Sequence, residues 1–278
     1  MERQKTKKEK GGEKENTQAF LKQVNEKVPE GLVADKSKPT KGYVLDHCYG
    51  FAGCQQKAVC YFGKDKNEIV FPAAALGVVQ DVNTRKQKFF GGVEKDKDAD
   101  KYQKDWPFHQ DDVTALDVAG GEMRNIVASG ECGKESTVHV WDISTMTSIA
   151  SFSLGPTAKG VAALSISPCQ RYVAAVDSSN DHTMYIFNVQ RKKLLLSLSA
   201  GSDAINNIQW SKKPNDLKFV AVTSRALQFW NPADASKKLF KNGTFGSKFQ
   251  QTKFLCAAFD EDGICYSGGA NGGVHVWD

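Results

Sequence analysis

The 278 residues include 37 Lys and Arg against 32 Asp and Glu, and are 40% hydrophobic and 10% aromatic, enough apolar material for one large β domain or two small ones. The longest apolar run, IVFPAAALGVV at 69–79, holds a proline and falls well short of the ~20 residues of a membrane-spanning helix, so no membrane partner is expected. The first residues, MERQKTKKEK, lack the apolar stretch of a secretory signal, and Glu2, Glu9, Glu13 and Glu15 exclude an acid-poor transit peptide; the expectation is a soluble intracellular protein.

Residues 1–42 hold 11 Lys and Arg against 7 Asp and Glu, so most of the net charge of +5 lies in this tail. The composition is too polar to fold alone. One piece, TQAFLKQVNEKV at 17–28, sets Phe20, Leu21, Val24 and Val28 on one face of a short helix. Such a helix is marginal in water. The reading is therefore a mostly disordered basic tail over 1–42, with a helix at 17–28 that orders against a partner.

From residue 43 the texture changes. Runs of five to seven residues, such as VTALDV (113–118), TVHVW (137–141), YVAAVD (172–177), INNIQW (205–210) and FVAVTS (219–224), alternate with Gly, Asn, Asp and Ser. No long helical period appears, and many short strands at this spacing predict an all-β chain. Residues 91–108, GGVEKDKDADKYQKDWPF, interrupt the pattern as a charged insertion anchored by Trp106, Pro107 and Phe108. The seven cysteines are scattered, odd in number and without a CxxC pair. That argues against a disulfide framework or a structural zinc site; mostly buried, reduced thiols are expected.

Four runs end alike: VHVWD at Asp142, YIFN at Asn188, LQFWN at Asn231 and VHVWD at Asp278, at intervals of 46, 43 and 47 residues. A period near 40–47 with an aromatic and Asp/Asn on the third strand marks β-propeller blades. Each blade is apolar on both faces and must stack on its neighbours. Trp141, Trp230 and Trp277 are the expected third-strand anchors. In AAVDSSNDHTMYIFN (174–188), Asp177, Asn180, Asp181 and His182 fall between a second and a third strand, so they predict a turn rather than a metal or catalytic cluster.

Trp141-Asp142 and Trp277-Asp278 resemble WD40 repeats, with Phe187-Asn188 and Trp230-Asn231 as degenerate versions. Only His109 matches the family's Gly-His pair, with Phe108 in place of the glycine, so the resemblance implies an incomplete histidine network in most blades. A narrower resemblance covers nearly all of 43–278. YVLDHCYGFAG (43–53) with EIVFPAAALGVVQDVNTRKQKFF (68–90) resembles the HELP motif and first blade of the echinoderm microtubule-associated protein-like family. Tyr49, Gly50, Phe51 and Gly53 fall in that motif. HQDDVTAL (109–116), AAVDSSNDHTMYIFNVQ and FLCAAFDEDGICYSGGANGGVHVWD (254–278) resemble later blades, in the family's order. The resemblance implies a propeller belonging to a tandem pair: 43–90 as HELP motif and first blade, 109–278 as WD40-like blades with the last one lacking its outer strand. The chain stops at Asp278, on a third strand, after about five blades. The expectation is an incomplete ring, completed by further C-terminal sequence or by another chain.

The resemblance implies binding to microtubules, and other axonemal or cytoskeletal proteins as partners, in the cytoplasm, the cytoskeleton and the axoneme of cilia or flagella. Arg3, Lys5, Lys7, Lys8 and Lys10 are the candidate contacts for acidic tubulin. The alternative is a general WD40 scaffold without tubulin contact; whether the HELP segment integrates into the first blade discriminates the two. An enzyme is not expected. Asp111 and Asp112 near His109, and Asp181 beside His182, could suggest acid–base chemistry, but each pair sits at a predicted blade start or turn. No GxSxG, HExxH or P-loop is present, and SGGANGG (267–273) joins two strands, so it makes a hairpin rather than a phosphate cradle. No cofactor or metal is called for. Nucleic acid is a poor fit, because the tail lacks interleaved aromatics apart from Phe20.

Overall fold

Strands whose residues are buried on both faces read as unbroken apolar runs, and YVAAVD at 172–177 is the clearest case: Val173, Ala174, Ala175 and Val176 are all fully buried. The structure, a computed structural model, describes residues 44–53, 57–62, 67–93, 106–119, 125–213, 216–233, 239–246 and 252–277. The tail with its expected helix and the basic positions Arg3, Lys5, Lys7, Lys8 and Lys10 lies outside the described residues, as does most of the insertion, 94–105. None of the described residues is helical.

Among the described residues, nineteen strands form five antiparallel sheets. Blade 1 is β1 (Cys60–Phe62), β2 (Glu68–Ala73), β3 (Leu76–Asp81) and β4 (Gln87–Phe90). Blade 2 is β5 (Val113–Val118), β6 (Ile126–Glu131), β7 (Thr137–Asp142) and β8 (Thr147–Ser153). Blade 3 is β9 (Val161–Ile166), β10 (Tyr172–Asp177), β11 (Thr183–Asn188) and β12 (Lys193–Ser199). Blade 4 is β13 (Ile205–Trp210), β14 (Phe219–Thr223), β15 (Leu227–Trp230) and β16 (Phe240–Asn242). Blade 5 has three strands among the described residues, β17 (Phe254–Phe259), β18 (Cys265–Gly269) and β19 (Val274–Trp277). In every sheet the strands pair in chain order. This is an all-β, incomplete WD40-type propeller.

The core lies between blades, not within them. One apolar cluster joins blades 1 and 2 (Val70, Val79 and Phe90 with Leu116 and Trp141), a second joins blades 2 and 3, a third blades 3 and 4, and a fourth blades 4 and 5. Third-strand aromatics reach back to the preceding blade. Trp141 stacks on Phe90 with ring centroids 4.7 Å apart, Phe187 on Phe152 at 4.5 Å, and Trp277 tilts against Phe229 at 5.8 Å. Two glycines make room for such contacts. A Cβ on Gly77 would lie 2.6 Å from the Trp141 ring, and one on Gly130 would lie 2.6 Å from Val161. Polar bonds cross the same junctions: the Thr114 hydroxyl donates to the Val161 carbonyl (2.7 Å), and the Trp210 indole to the Ser165 carbonyl (2.9 Å).

Candidate functional site

In blades 1 to 4 the Asp/Asn that ends or follows the third strand, after an aromatic in blades 2 to 4, caps the turn into the fourth strand. Asp81 Oδ1 accepts from the N–H groups of Asn83 (3.0 Å) and Thr84 (2.6 Å). Asp142 Oδ1 accepts from Ser144 N (2.7 Å), Thr145 N (3.1 Å) and the Ser144 hydroxyl. Asn188 Oδ1 takes Arg191 N (2.8 Å), and Asn231 Oδ1 takes Ala233 N (3.3 Å). A side-chain acceptor here satisfies turn donors that have no strand partner. Blades 1 to 3 then return through a residue at positive φ: Arg85 (59°), Met146 (54°) and Lys192 (49°). Burial alone would raise the Asp142 carboxyl; the bonds from Ser144 and Thr145 outweigh it and hold the group below the usual carboxylate range.

Blade 2 carries a complete buried network. The Trp141 indole donates to Ser129 Oγ (3.0 Å), and the Ser129 hydroxyl lies 2.6 Å from His109 Nε2. His109 Nδ1 lies 3.3 Å from Glu131 Oε2, which also accepts from Gln110 N (2.7 Å). One proton arrangement satisfies the chain: Nδ1–H donates to Glu131, Nε2 accepts from Ser129, and Ser129 accepts from Trp141. His139 packs against His109 with ring centroids 4.6 Å apart, and its Nδ1 has no hydrogen-bond partner among the described residues. Burial, then the neighbouring His109, holds His139 well below the usual histidine range. Ligating atoms of His109, Glu131 and His139 lie within 4.8 Å of one another. Both nitrogens of His109 and one Glu131 oxygen are already spent on bonds that close the blade, so the group reads as structure. Elsewhere the network is partial: Trp277 donates to Ser267 Oγ (2.8 Å), and Trp230 to Gln228 Oε1 (3.2 Å).

The Asp177–His182 stretch is the turn between β10 and β11. Buried Asp177 accepts from Ser179 N (3.3 Å), the Ser179 hydroxyl (2.7 Å) and Thr183 N (2.9 Å) through Oδ1. His182 takes the left-handed conformation (φ 42°) and donates its N–H to the Ser179 carbonyl (3.1 Å). Asn180 and Asp181 are exposed. The structure thus brings Asp177 and His182 into one turn and leaves the other two pointing to solvent. His182 also lines a cavity of about 570 Å³ at the starts of β5, β9 and β13, together with Lys57, Thr114, Ser178 and Asn207. Lys57 Nζ pairs with Asp117 Oδ1 at 2.9 Å, while Asp117 Oδ2 accepts from the Ser165 hydroxyl (2.7 Å) and Ile166 N (3.1 Å). This pair ties the start of blade 1 to blades 2 and 3. Sequence reading missed it, since nothing local marks two residues sixty positions apart.

Residues 44–53 form no strand, and Cys48 and Phe51 dock on the far face of blade 1. Cys48 N donates to Gln87 Oε1 (2.7 Å), and Gln87 Nε2 returns a bond to the Cys48 carbonyl (3.0 Å). The Phe51 ring lies 5.6 Å from Phe71, and Cys48 packs on the Phe71, Ala73 and Val78 cluster. Tyr49 is 89% exposed, Gly50 holds a positive φ of 82°, and Gly53 is exposed. The expectation of mostly buried thiols is corrected. Among the described cysteines only Cys265 is buried, while Cys169 and Cys256 are exposed. Cys169 sits in the SPCQ turn, and Cys256 alternates onto the outer face of β17. Burial pushes the Cys265 thiol up to about 12.

A model of the echinoderm microtubule-associated protein first beta-propeller matches residues 102–278. The chain belongs to the echinoderm microtubule-associated protein family. It is 33% identical over 243 residues to a ciliary WD repeat-containing protein of Euplotoides octocarinatus, covering 87% of this chain and 33% of that one. It is 28% identical over 251 residues to the 77 kDa echinoderm microtubule-associated protein of Strongylocentrotus purpuratus (88% and 34%). It is 26% identical over 256 residues to echinoderm microtubule-associated protein-like 1 of Homo sapiens (88% and 29%). The chain spans about a third of the length of these relatives. The first-propeller match starts inside the charged insertion, so it takes in blades 2 to 5, and blade 1 with its docked segment precedes it.

Proposed function

We propose that this chain is a non-catalytic, microtubule-associated structural protein of the cytoskeleton, and a component of the axonemal doublet microtubules of cilia or flagella. Its partners are tubulin in microtubules and other axonemal or cytoskeletal proteins. The observation that carries the reading is family membership across blades 2 to 5. A relative named as ciliary and others named as microtubule-associated support it. The docking of Cys48 and Phe51 on blade 1 supports reading their segment as a HELP motif integrated into the propeller, which favours this function over a general WD40 scaffold. Of the groups that could suggest acid–base chemistry, Asp111 and Asp112 near His109 and Asp181 beside His182, His109 has both ring nitrogens engaged by Glu131 and Ser129 and Asp181 points to solvent, which supports a non-catalytic role.

Arg3, Lys5, Lys7, Lys8 and Lys10 add a salt-sensitive contact to the acidic outer surface of tubulin. The apolar outer face of blade 5, with Val274 70% and Val276 60% exposed, is covered in the assembled protein by further sequence or another chain. The test is co-sedimentation of the full chain with assembled microtubules over a salt series, beside a variant with those five tail residues changed to Ala. Both are expected to pellet, the variant more weakly and with a flatter salt dependence. A folded, soluble chain that stays in the supernatant at low salt would leave the scaffold reading in its place.

A further inference from the structure

Each antiparallel blade puts its first-to-second and third-to-fourth strand turns at one end. The blades share that end. The starts of β5, β9 and β13 line the large axial cavity, and their ends line a smaller one through Asp117, Ile166 and Gln209. The turns of neighbouring blades can therefore be compared for charge. At this end blades 3 and 4 present Arg171, Arg191, Lys192, Lys193, Lys212 and Lys218, all exposed. In the described residues of the same turns the acid is Asp216, half-buried, with Oδ1 accepting from Lys218 N at 3.2 Å. Lys213 is set apart from the group. It lies against the acidic turn Asp260-Glu261-Asp262-Gly263 of blade 5, where a Cβ on Gly263 would sit 3.4 Å from its Cβ. That acidic turn bounds the basic patch. Among the described residues the opposite end of these blades shows a smaller excess: exposed Lys159 and Lys253 stand there with exposed Asp181, and Arg225 is paired with Asp203 at 3.2 Å.

An apolar pocket of about 110 Å³ opens between blades 3 and 4 within this patch, walled by Tyr172, Leu195, Trp210, Leu217 and Pro232. Leu195 is the extra residue of a β-bulge, since Ile186 pairs with Leu196 and Phe187 with Leu194. Blade 2 has the same bulge at Ile149, between Ser148 opposite Trp141 and Ala150 opposite Val140. Bulges re-aim side chains. Ile149 is spent on the cluster between blades 2 and 3, whereas Leu195 stays 51% exposed, next to Leu194 at 50%. The same device that fills one junction leaves the next one open, and the opening is ringed by cations.

We propose that this end of blades 3 and 4 is a docking site for an acidic polypeptide segment carrying an apolar side chain. The carboxylates meet the arginines and lysines, and the apolar group enters the pocket beside Leu195, an anchor-and-rim arrangement. The proposal deepens the microtubule reading and rests on it for the identity of the segment, which the acidic surface of tubulin supplies.

The test uses the full chain and a short fluorescent polyglutamate peptide containing one Phe, beside the same peptide with Gly in that place, followed by anisotropy at low and physiological salt. The Phe peptide is expected to bind more tightly. The double variant Arg191→Glu/Lys192→Glu is expected to weaken both peptides roughly tenfold at low salt. Leu195→Ser is expected to erase the preference for Phe and leave the Gly peptide unchanged. Lys134→Glu with Lys253→Glu, at the opposite end, is expected to change nothing. All five residues are exposed, and unchanged thermal midpoints confirm folding. Wild-type binding by the Arg191/Lys192 variant, or an equal loss in the opposite-end variant, overturns the proposal. So does an oligonucleotide of equal charge that binds as well and with the same dependence on Arg191 and Lys192. Microtubule pelleting separates the two readings. Pelleting that survives the charge reversal, while peptide binding is lost, overturns the tubulin assignment of this site and leaves the microtubule function standing. Peptide binding with no pelleting of the wild type supports the acidic-segment site and sinks the microtubule reading.

Discussion

Blade 2 and blade 5 contain the same third strand, Val-His-Val-Trp, at 138–141 and 274–277. Val138, Val140 and Trp141 are fully buried in blade 2, whereas Val274 and Val276 are 70% and 60% exposed and Trp277 is half-buried. The local sequence is identical, so the difference comes from the neighbour. Blade 3 covers the valines of blade 2 with Val161, Leu164 and Val173, and no sheet among the described residues stands on the corresponding face of blade 5. In a propeller, a strand's apolar run announces two faces to be covered but not what covers them. Stability is a property of junctions.

Substitutions at matched positions can break that comparison. Trp141→Ala removes a buried ring stacked on Phe90 and is expected to cost about 3–5 kcal/mol in denaturant unfolding; Trp277→Ala should cost roughly half as much, and equal losses would contradict the junction account. Val140→Asn buries an amide without partners, at about 1–3 kcal/mol, while Val276→Asn stays within about 0.5 kcal/mol. Gly77→Ala pushes a methyl into the Trp141 ring and is expected to cost about 1–3 kcal/mol, read as a lower midpoint at unchanged slope.

The pH dependence sharpens the same contrast. His139 is held below the unfolded histidine value, so the native state takes up fewer protons than the unfolded one. Stability is then full above about pH 6.5 and falls as pH drops below it, by up to about 1.4 kcal/mol per unit. His139→Gln should flatten that slope between pH 6.5 and 5 in thermal melts. The smallest effect is at Asp142. Its lowered carboxyl contributes stability that is present above the unfolded aspartate value and lost as pH falls through the folded one. Asp142→Ala is expected to cost about 0.5–1.5 kcal/mol at neutral pH and to weaken the acid dependence below about pH 4.

The strands with strong alternation or unbroken apolar runs were legible, and β5, β10 and β13 begin and end where VTALDV, YVAAVD and INNIQW do. β16 and β18 were not. FKN is three residues long, and CYSGG carries two glycines that suit the close strand packing of a blade but read as loop. The repeat of aromatic plus Asp/Asn was visible as a period, but its cause, an acceptor capping the return turns of the described blades, lies in three-dimensional placement. The DSSNDH turn could be read because Asp and Asn favour such turns locally. The basic end of blades 3 and 4 could not, because Arg171, Lys192 and Lys218 are gathered only by the antiparallel register of separate strands.

The most direct measurement is amide hydrogen exchange of the full chain, free and on assembled microtubules. The account predicts slowed exchange in the turns 189–195 and 211–218, with the turns of the opposite end unchanged. No protection in either set, or protection confined to the opposite end, would contradict it.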